Sequence, residues 1–188
     1  ALSEWMEVDN CYEGKRYTMR FEKGITVRPI QCEGDCGNRH GLYVRFKPDG
    51  TIFEETTFDY DILLTRMREQ AFLNAGIKIT LKDLRPGQED EEGSPKCAVL
   101  QYEGGICSFV EYLNANKHAA LLHKDVVYMK AKKDDVTAEV ALQYNDSFNE
   151  TIVTFANNMA TVDGGTHEAG FKSGLTKVIN DYARKCGA

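Results

Sequence analysis

The chain has 188 residues, a formal net charge of −6, 42% hydrophobic and 28% charged residues, which are the proportions of an average globular protein. This length is enough for one medium domain or two small ones. No apolar run is long enough to span a bilayer and no signal peptide is visible, so we expect a cytoplasmic protein without a membrane segment. The acidic balance argues against an autonomous nucleic-acid binder, although one inner surface could still be basic.

The first part of the chain predicts a sheet followed by a helix. Two runs rich in aromatic and β-branched residues flank Glu13-Gly14, which predicts a hairpin. Pro29 lacks a backbone N–H and therefore places the third strand near a sheet edge. The predicted elements are strands over 4–12, 15–22 and 25–30, a loop over 31–41, a strand over 42–46, a helix over 58–74 and a strand over 77–81.

The composition changes over residues 85–95, which hold two prolines, two glycines and the acidic run 89–92. Such a segment buries little, so we place the domain boundary here. The elements predicted after it are strands over 97–102, 126–132, 136–144 and 150–155, and helices over 106–114 and from 166 onward. This pattern predicts an α+β fold that is mostly antiparallel sheet.

The segment 162–172, Val-Asp-Gly-Gly-Thr-His-Glu-Ala-Gly-Phe-Lys, precedes the last helix. Its paired glycines permit positive φ or a close backbone approach. Thr166 is predicted as the helix N-cap, and Glu168 in the first turn suits the helix dipole. Apolar residues then recur at helical spacing, at Phe171, Leu175, Val178 and Tyr182. From the residues alone, the segment is a glycine turn that leads into an amphipathic helix.

The sequence contains no phosphate-binding loop, dinucleotide fingerprint, nucleophile elbow or His-Glu-x-x-His motif. His167 has no indicated nucleophile or carboxylate partner, so we interpret it as a structural or interface residue. Cys32, Cys36 and His40 lack a fourth zinc ligand, so we expect free thiols and no metal. The second half of the chain is also rich in basic residues. They fit either an exposed face or a surface that contacts nucleic-acid phosphates, and they are Lys117, His118, His123, Lys124, Lys130, Lys132 and Lys133.

Longer motifs run through the chain in a fixed order. They are Ala1-Leu2-Ser3, Arg-Met-Arg-Glu-Gln-Ala-Phe-Leu-Asn-Ala-Gly over 66–76, Tyr-Glu-Gly-Gly-Ile over 102–106, Phe-Val-Glu-Tyr-Leu-Asn over 109–114, Val-Ala-Leu-Gln-Tyr-Asn-Asp over 140–146, Asn-Asn-Met over 157–159 and Asp-Gly-Gly-Thr-His-Glu-Ala-Gly-Phe over 163–171. Together they resemble the ATPase subunits of type IIA DNA topoisomerases, the family of DNA gyrase B. Topoisomerase IV is a close relative that these motifs do not separate from gyrase.

The resemblance implies the C-terminal part of a Bergerat (GHKL) ATPase domain over residues 1–92. It implies a transducer domain, similar to ribosomal S5 domain 2 and truncated at its C-terminal end, over 93–188. The implied function is a fragment of a subunit that couples ATP binding and hydrolysis to DNA strand passage. For the full-length subunit it implies ATP and Mg²⁺ as cofactors, a gyrase A-type subunit and double-stranded DNA as partners, and a homodimer on ATP binding. The alternative is a nucleotide-independent interaction module of the same fold.

The family's catalytic glutamate, magnesium-binding asparagine, adenine-reading aspartate and lid glycines are expected before residue 1, and its Gln-Thr-Lys lysine beyond residue 188. The resemblance therefore implies no catalytic residue here, and we expect the isolated chain to bind no cofactor and not to hydrolyse ATP. Leu42 and Val44 are expected at the edge of the adenine pocket. Leu42 stands where the family usually has threonine, and Tyr12 where it usually has an arginine at the pocket mouth.

Two further roles follow from the resemblance. The residues Gly164, Gly165, Thr166 and His167 form the family's transducer signature. Lys172 matches a basic position that family members direct toward the cavity that holds DNA, so we expect it to contact phosphate.

Overall fold

The structure, a computed structural model, describes residues 2–89, 92–117 and 120–187. It divides into two compact units, the first ending at Asp59 and the second beginning at Tyr60. The following residues, used in the predictions above, lie outside the described residues: Ala1, Asp90, Glu91 and His118. The domain division between residues 92 and 93 falls within the second unit and stays a prediction of the resemblance.

The first unit is a four-stranded antiparallel sheet in the order β3-β2-β1-β4. Its strands are β1 (Ser3–Tyr12), β2 (Lys15–Glu22), β3 (Ile25–Asp35) and β4 (Gly41–Pro48). Glu13 and Gly14 have positive φ, as the predicted hairpin turn requires. The predicted hairpin is confirmed, and Pro29 lies on the edge strand β3 as expected.

The predicted loop over 31–41 is wrong for its first five residues, because β3 continues to Asp35. The long strand β2 supplies pairing partners for this extension, ending with Lys15 opposite Asp35. The register shift between Arg16 and Tyr17 leaves Glu33 without a pairing partner, next to Gly34, which has φ of 117°. The glycine and polar residues that suggested a loop therefore mark a bulged strand end.

Among its described residues, the second unit contains three helices and three two-stranded antiparallel sheets: β5-β6, β7-β8 and β9-β10. In chain order its elements are α1 (Tyr60–Leu73), β5 (Ile79–Lys82), β6 (Cys97–Leu100), α2 (Gly105–Ala115), β7 (Val127–Lys133), β8 (Val136–Leu142), β9 (Phe155–Ala156), β10 (Met159–Ala160) and α3 (Thr166–Cys186). The predicted helices are thus present, and the predicted α+β class is confirmed.

The strand predicted over 150–155 is wrong except at its end, because only Phe155 and Ala156 pair, with Ala160 and Met159. The chain turns again just after this short hairpin, where the Gly164 N–H donates to the Thr161 carbonyl at 2.9 Å. That turn removes the neighbour that a longer strand would need. The strand predicted over 136–144 also ends early, at Leu142.

The helix α3 departs from its prediction at its start. Its N-cap is Gly165 rather than Thr166, because the Ala169 N–H already bonds to the Gly165 carbonyl at 3.1 Å. Glu168 lies in the first turn, as predicted. The predicted apolar face is half-buried at its first two residues, whereas Val178 and Tyr182 are exposed.

The core of the second unit is centred on Phe72 of α1, which is 1% exposed. Its ring stacks on Tyr102 with centroids 3.7 Å apart and on Phe109 of α2 at 4.8 Å. The Tyr112 ring lies 5.5 Å away, and Leu100 of β6 is also buried. Aromatic pairs at these distances add to the free energy of burial, so α1 and α2 are held together chiefly by rings.

The stability of the second unit is expected to depend on pH through Asp83, which directly follows β5. This buried carboxylate accepts bonds from Arg85 Nη2 at 2.5 Å and Nε at 2.9 Å and from the Arg85 N–H at 3.0 Å. These bonds lower the pKa of Asp83 from 3.8 to about 2. Because the pKa is lower in the folded state, the stabilisation is complete above about pH 4 and is lost as the pH falls toward 2.

We therefore expect the unfolding temperature to fall between about pH 4 and 2, and to fall less in Asp83→Asn, since that variant has no carboxylate to protonate at this position. Thermal unfolding measured at several pH values across this range tests the expectation. An identical pH profile for the two proteins would contradict it.

Candidate functional site

The signature segment, defined here as residues 150–172, contains two threonines, Thr154 and Thr161, that flank the β9–β10 hairpin. The Thr161 N–H donates to the Thr154 carbonyl at 2.9 Å, and the two hydroxyl oxygens are 2.5 Å apart. Thr161 Oγ1 also lies 3.2 Å from Nε2 of His167. This chain of hydroxyls fixes the His167 ring against the short hairpin, which supports the structural interpretation of His167.

The residues after the two glycines of the signature fold back over the turn, so that a Cβ on either glycine would displace a side chain. Gly164 has φ of 73°, and a Cβ at this position would lie 2.7 Å from Glu168 Oε2. A Cβ on Gly165 would lie 2.7 Å from Cε1 of the His167 ring. Both spacings are shorter than van der Waals contact. The Gly-Gly pair thus gives Glu168 and His167 the space in which they make their own bonds.

Lys172 of α3 lies between two carboxylates, that of Glu168 on the same helix and that of Glu150 on the chain before β9. Its Nζ is 3.0 Å from Glu168 Oε1 and 3.0 Å from Glu150 Oε1. These hydrogen bonds, first that of Glu168 and then that of Glu150, raise the pKa of Lys172. The Glu150 side chain is 74% exposed whereas that of Glu168 is 23% exposed. The ammonium group is therefore held charged at the surface by one fixed partner and one solvated partner.

A polar clasp, formed by Gln70, Asn74 and Asn158, joins α1 to the β9–β10 turn. Gln70 Nε2 donates to the Asn158 carbonyl at 2.7 Å, and Asn158 Nδ2 donates to Asn74 Oδ1 at 3.0 Å. Asn157 and Asn158 both have positive φ, which asparagine tolerates better than most residues. The sequence motifs contain all of these residues, but nothing in the motifs showed that they touch.

A second polar network joins the end of α2 to the segment after β8. Asn114 Nδ2 donates to Gln143 Oε1 at 2.8 Å, and Asn145 Nδ2 donates to Asn114 Oδ1 at 3.2 Å. Gln143 Nε2 in turn donates to the carbonyls of His123 at 3.2 Å and Lys124 at 3.0 Å. The motifs 109–114 and 140–146 are therefore packing partners.

The predicted basic residues divide by their contacts. The Tyr144 N–H donates to His123 Nε2 at 2.9 Å, and His123 Nδ1 lies 2.7 Å from the Asp125 carbonyl, so the ring is used within the fold. Lys130 is ion-paired with Glu139. Lys132 and Lys133 are exposed on β7. The lysines of β7 therefore fit the interpretation as an exposed face. His123 fits neither that interpretation nor a phosphate-binding surface, because its ring is bonded within the fold.

Leu42 and Val44 belong to the first unit, on the edge strand β4. They pair with Asn10 and Val8 of β1, and both side chains are exposed. They alternate along β4 and so lie on the same face of the sheet. Tyr12 is exposed at the end of β1. Leu42 and Val44 form an apolar edge that suits the face of a flat ring, and neither carries a group for acid, base or phosphate chemistry, whereas Tyr12 adds an exposed phenol.

Within residues 2–89, 92–117 and 120–187, no group of three or more His, Cys, Asp or Glu side chains is arranged to hold a metal ion. All six cysteines are free thiols. No described helix is both long enough and apolar enough to cross a membrane.

Comparison with known proteins accounts for the order of these features. The family model for DNA gyrase B matches residues 105–188. DNA gyrase B of Clostridium acetobutylicum is 47% identical over 188 residues, covering 100% of this chain and 28% of that protein. The B subunit of DNA topoisomerase 4 from Enterococcus faecalis is 46% identical over 188 residues, covering 100% of this chain and 26% of that protein. The chain thus spans about a quarter of these relatives' length.

The fold agrees with this similarity. A crystal structure of the 43K ATPase domain of Thermus thermophilus gyrase B, in complex with an aminocoumarin, superposes with a TM-score of 0.79. It is 33% identical and covers 99% of this chain and 48% of that one. The agreement in sequence extends over the whole chain, and the agreement in structure includes both units. The predicted family and fold are therefore confirmed, and the chain belongs to the DNA gyrase B family of type IIA topoisomerase ATPase subunits.

Proposed function

We propose that this chain is the part of a type IIA topoisomerase ATPase subunit that couples ATP binding and hydrolysis to DNA strand passage. The observation that carries the proposal is similarity to gyrase B along the full chain, together with a fold that matches its ATPase domain. The identities of 47% to a gyrase protein and 46% to a topoisomerase IV protein favour neither enzyme. Topoisomerase IV activity is therefore the second candidate.

The polar clasp is the contact through which we propose that movement passes. The helix α1 resembles the last helix of the ATPase domain, and the β9–β10 turn lies among the transducer motifs. Gln70 and Asn74 on the helix hold Asn158 in the turn by two hydrogen bonds. Bonds of this kind contribute about 1 kcal/mol each to stability. We propose that, when α1 moves, these two bonds make the β9–β10 turn move with it.

Lys172 is the residue that we propose to face DNA. Its charge is maintained by Glu168, while Glu150 is the more exposed of its two partners. A phosphate oxygen can take the place of the Glu150 carboxylate without leaving the ammonium unpaired. Exchange of one anionic acceptor for another preserves a charge-assisted hydrogen bond. The signature residues 164–167 would then serve to place the first turn of α3 rather than to react.

Leu42 and Val44 fit the edge of an adenine site in one respect only, since they offer an apolar strand face to a ring. When bound, Mg²⁺-ATP would supply the phosphoanhydride whose hydrolysis drives the cycle. The described residues contain no cluster of His, Cys, Asp or Glu that could hold its metal ion, and the sequence contains no glycine-rich phosphate loop. We propose that the full-length subunit provides them, and that it works with a gyrase A-type subunit, double-stranded DNA and a second copy of itself. A cytoplasmic location stays a prediction.

The test uses the full-length subunit mixed with a gyrase A-type subunit and closed circular or interlinked DNA. ATP should allow strand passage, seen as a change in linking number or as release of linked circles, and omission of ATP should stop sustained turnover. Introduction of supercoils would identify gyrase, and efficient unlinking without supercoiling would identify topoisomerase IV. No ATP-dependent change in DNA topology would contradict the proposal and favour an interaction module.

A simpler prediction concerns the 188-residue chain alone. Its sequence contains no Gln-Thr-Lys motif and no glycine-rich phosphate loop, so a bound triphosphate would lack the cation and backbone amides that balance its charge. We therefore expect calorimetric titration with Mg²⁺-ATP to show no binding and no hydrolysis. Clear saturable binding would show that a nucleotide site lies within these residues.

A further inference from the structure

Two cysteines of the first unit meet at one corner of the sheet. Cys11 lies near the end of β1, between Arg16 of β2 and Gly41 of β4. Cys36 directly follows β3, and its N–H donates to the Gly14 carbonyl at 2.8 Å. That bond folds Cys36 over the β1–β2 turn, toward the buried end of β1 that holds Cys11, and the neighbouring Cys11 helps to raise the pKa of the Cys36 thiol.

Both thiols are removed from solvent, Cys11 being 9% exposed and Cys36 6%. The Cys36 thiol also donates to the Arg39 carbonyl, with the sulfur 3.7 Å from the oxygen. No third ligand-type side chain of the described residues completes a metal site with them. Cys32 serves as a comparison within the same unit, because its side chain is exposed. It lies within β3, opposite Tyr17 of β2. The proposed function uses none of these thiols.

We propose that Cys11 and Cys36 form a dithiol site that closes to an intramolecular disulfide in the presence of a low-molecular-weight disulfide oxidant. In the first step, the thiolate of one cysteine attacks the oxidant, forms a mixed disulfide and releases one small thiol. In the second step, the other thiolate attacks the protein sulfur of that mixed disulfide and releases the second small thiol. The protein loses two hydrogen atoms and two electrons, and the oxidant gains them.

The disulfide would link β1 to the connection between β3 and β4. It would tie the end of β1 to the connection that runs from Cys36 to Gly41, where β4 begins opposite Cys11. The loop that it closes contains all of β2 and β3. Closing such a loop restricts the unfolded chain and so stabilises the folded unit. Oxidation would also limit the movement of Leu42, the next residue of β4.

Burial, followed by the hydrogen bond and charge of Cys11, raises the pKa of the Cys36 thiol. The nearby Arg39 acts in the opposite direction and Asp35 in the same direction. The thiolate is the reactive form, so the reaction is slow at neutral pH and faster in mildly alkaline buffer. An alkaline reaction is therefore the sensitive condition for the test.

The experiment incubates the full chain with oxidised glutathione in mildly alkaline buffer, blocks the remaining thiols by alkylation and maps the digested peptides by mass. The expected product is one linked pair, Cys11 with Cys36, which dithiothreitol reverses. Oxidation should raise the unfolding temperature by on the order of 10 °C. Cys32→Ser should give the same linked pair, and Cys11→Ser and Cys36→Ser should each abolish it.

Thermal unfolding of each reduced variant shows whether it is folded before it is oxidised, so that loss of the linked pair is read only from folded protein. Alkylation of all six cysteines after prolonged oxidation would overturn the proposal. A linked pair containing Cys32, or one between two molecules, would also overturn it. Both readouts are independent of nucleotide and DNA, so the proposal does not depend on the proposed function.

Discussion

Phe72→Ala is expected to lower the free energy of unfolding of the second unit by about 3–5 kcal/mol. Phe72 is 1% exposed, and its ring stacks on Tyr102 and Phe109 and lies beside the tilted ring of Tyr112. Its removal leaves a cavity between α1 and α2 and deletes three aromatic pairs. Since whole domains are stable by about 5–15 kcal/mol, this single change removes much of the total.

Urea unfolding of the variant and the parent chain measures the loss. Phe148→Ala is the matched control, because Phe148 is fully exposed and has the same side chain. The control should stay within about 0.5 kcal/mol of the parent. If the two phenylalanine variants were equally stable, the ring cluster would not be the core of this unit.

Gly164→Ala is expected to destabilise the second unit by about 1–3 kcal/mol through the strain of positive φ alone. The backbone at Gly164 has φ of 73°, and the added Cβ would lie 2.7 Å from Glu168 Oε2. Glu168 must shift to relieve this overlap, and we expect the shift to weaken its ion pair with Lys172. The variant should thus lose stability and hold Lys172 less firmly on the side of Glu168.

Gly174→Ala provides a control with the opposite sign. Gly174 lies within α3, and a Cβ there meets no atom within 4 Å. Alanine at an open helical position stabilises by about 0.5–1 kcal/mol, because glycine loses more backbone entropy on folding. Thermal unfolding of the two variants side by side measures the difference. A Gly164 variant as stable as the Gly174 variant would mean that the turn does not need glycine.

Local patterns predicted much of the fold because local contacts form it. The β1–β2 hairpin depends on Glu13 and Gly14, and the edge position of β3 depends on Pro29. The end of β3 was missed because its extension is supplied by β2 and not by its own residues. The strand over 150–155 was overpredicted for the converse reason, since apolar residues form a strand only where a neighbour lies beside them.

The site could be located from its motif but not explained by it. The signature 163–171 marked the turn, but the sequence showed neither the positive φ of Gly164 nor the two following side chains that lie against its glycines. The bond from Gln70 to Asn158 joins residues 88 positions apart, and no periodicity or spacing predicts such a contact. The Glu150 partner of Lys172 was likewise invisible in the sequence, because the pairing depends on how the irregular segment before β9 runs past α3.

The signature segment is proposed to serve DNA passage rather than nucleotide binding. In the full-length subunit with a gyrase A-type subunit, Lys172→Glu should slow ATP-dependent strand passage by about ten- to a hundredfold, the equivalent of the ~1.5–3 kcal/mol of a charge-assisted hydrogen bond. ATP affinity should stay unchanged. Lys177→Glu, which makes the same charge change at an exposed position of α3, is the control and should have little effect on either quantity.

The measurement to make is therefore the ratio of strand-passage rate to ATP affinity in Lys172→Glu, Lys177→Glu and the parent protein. A ratio that falls only in the Lys172 variant is the predicted result. An equal loss of strand passage and ATP binding in that variant would contradict the proposed role and would place Lys172 in the nucleotide machinery or in the stability of the fold.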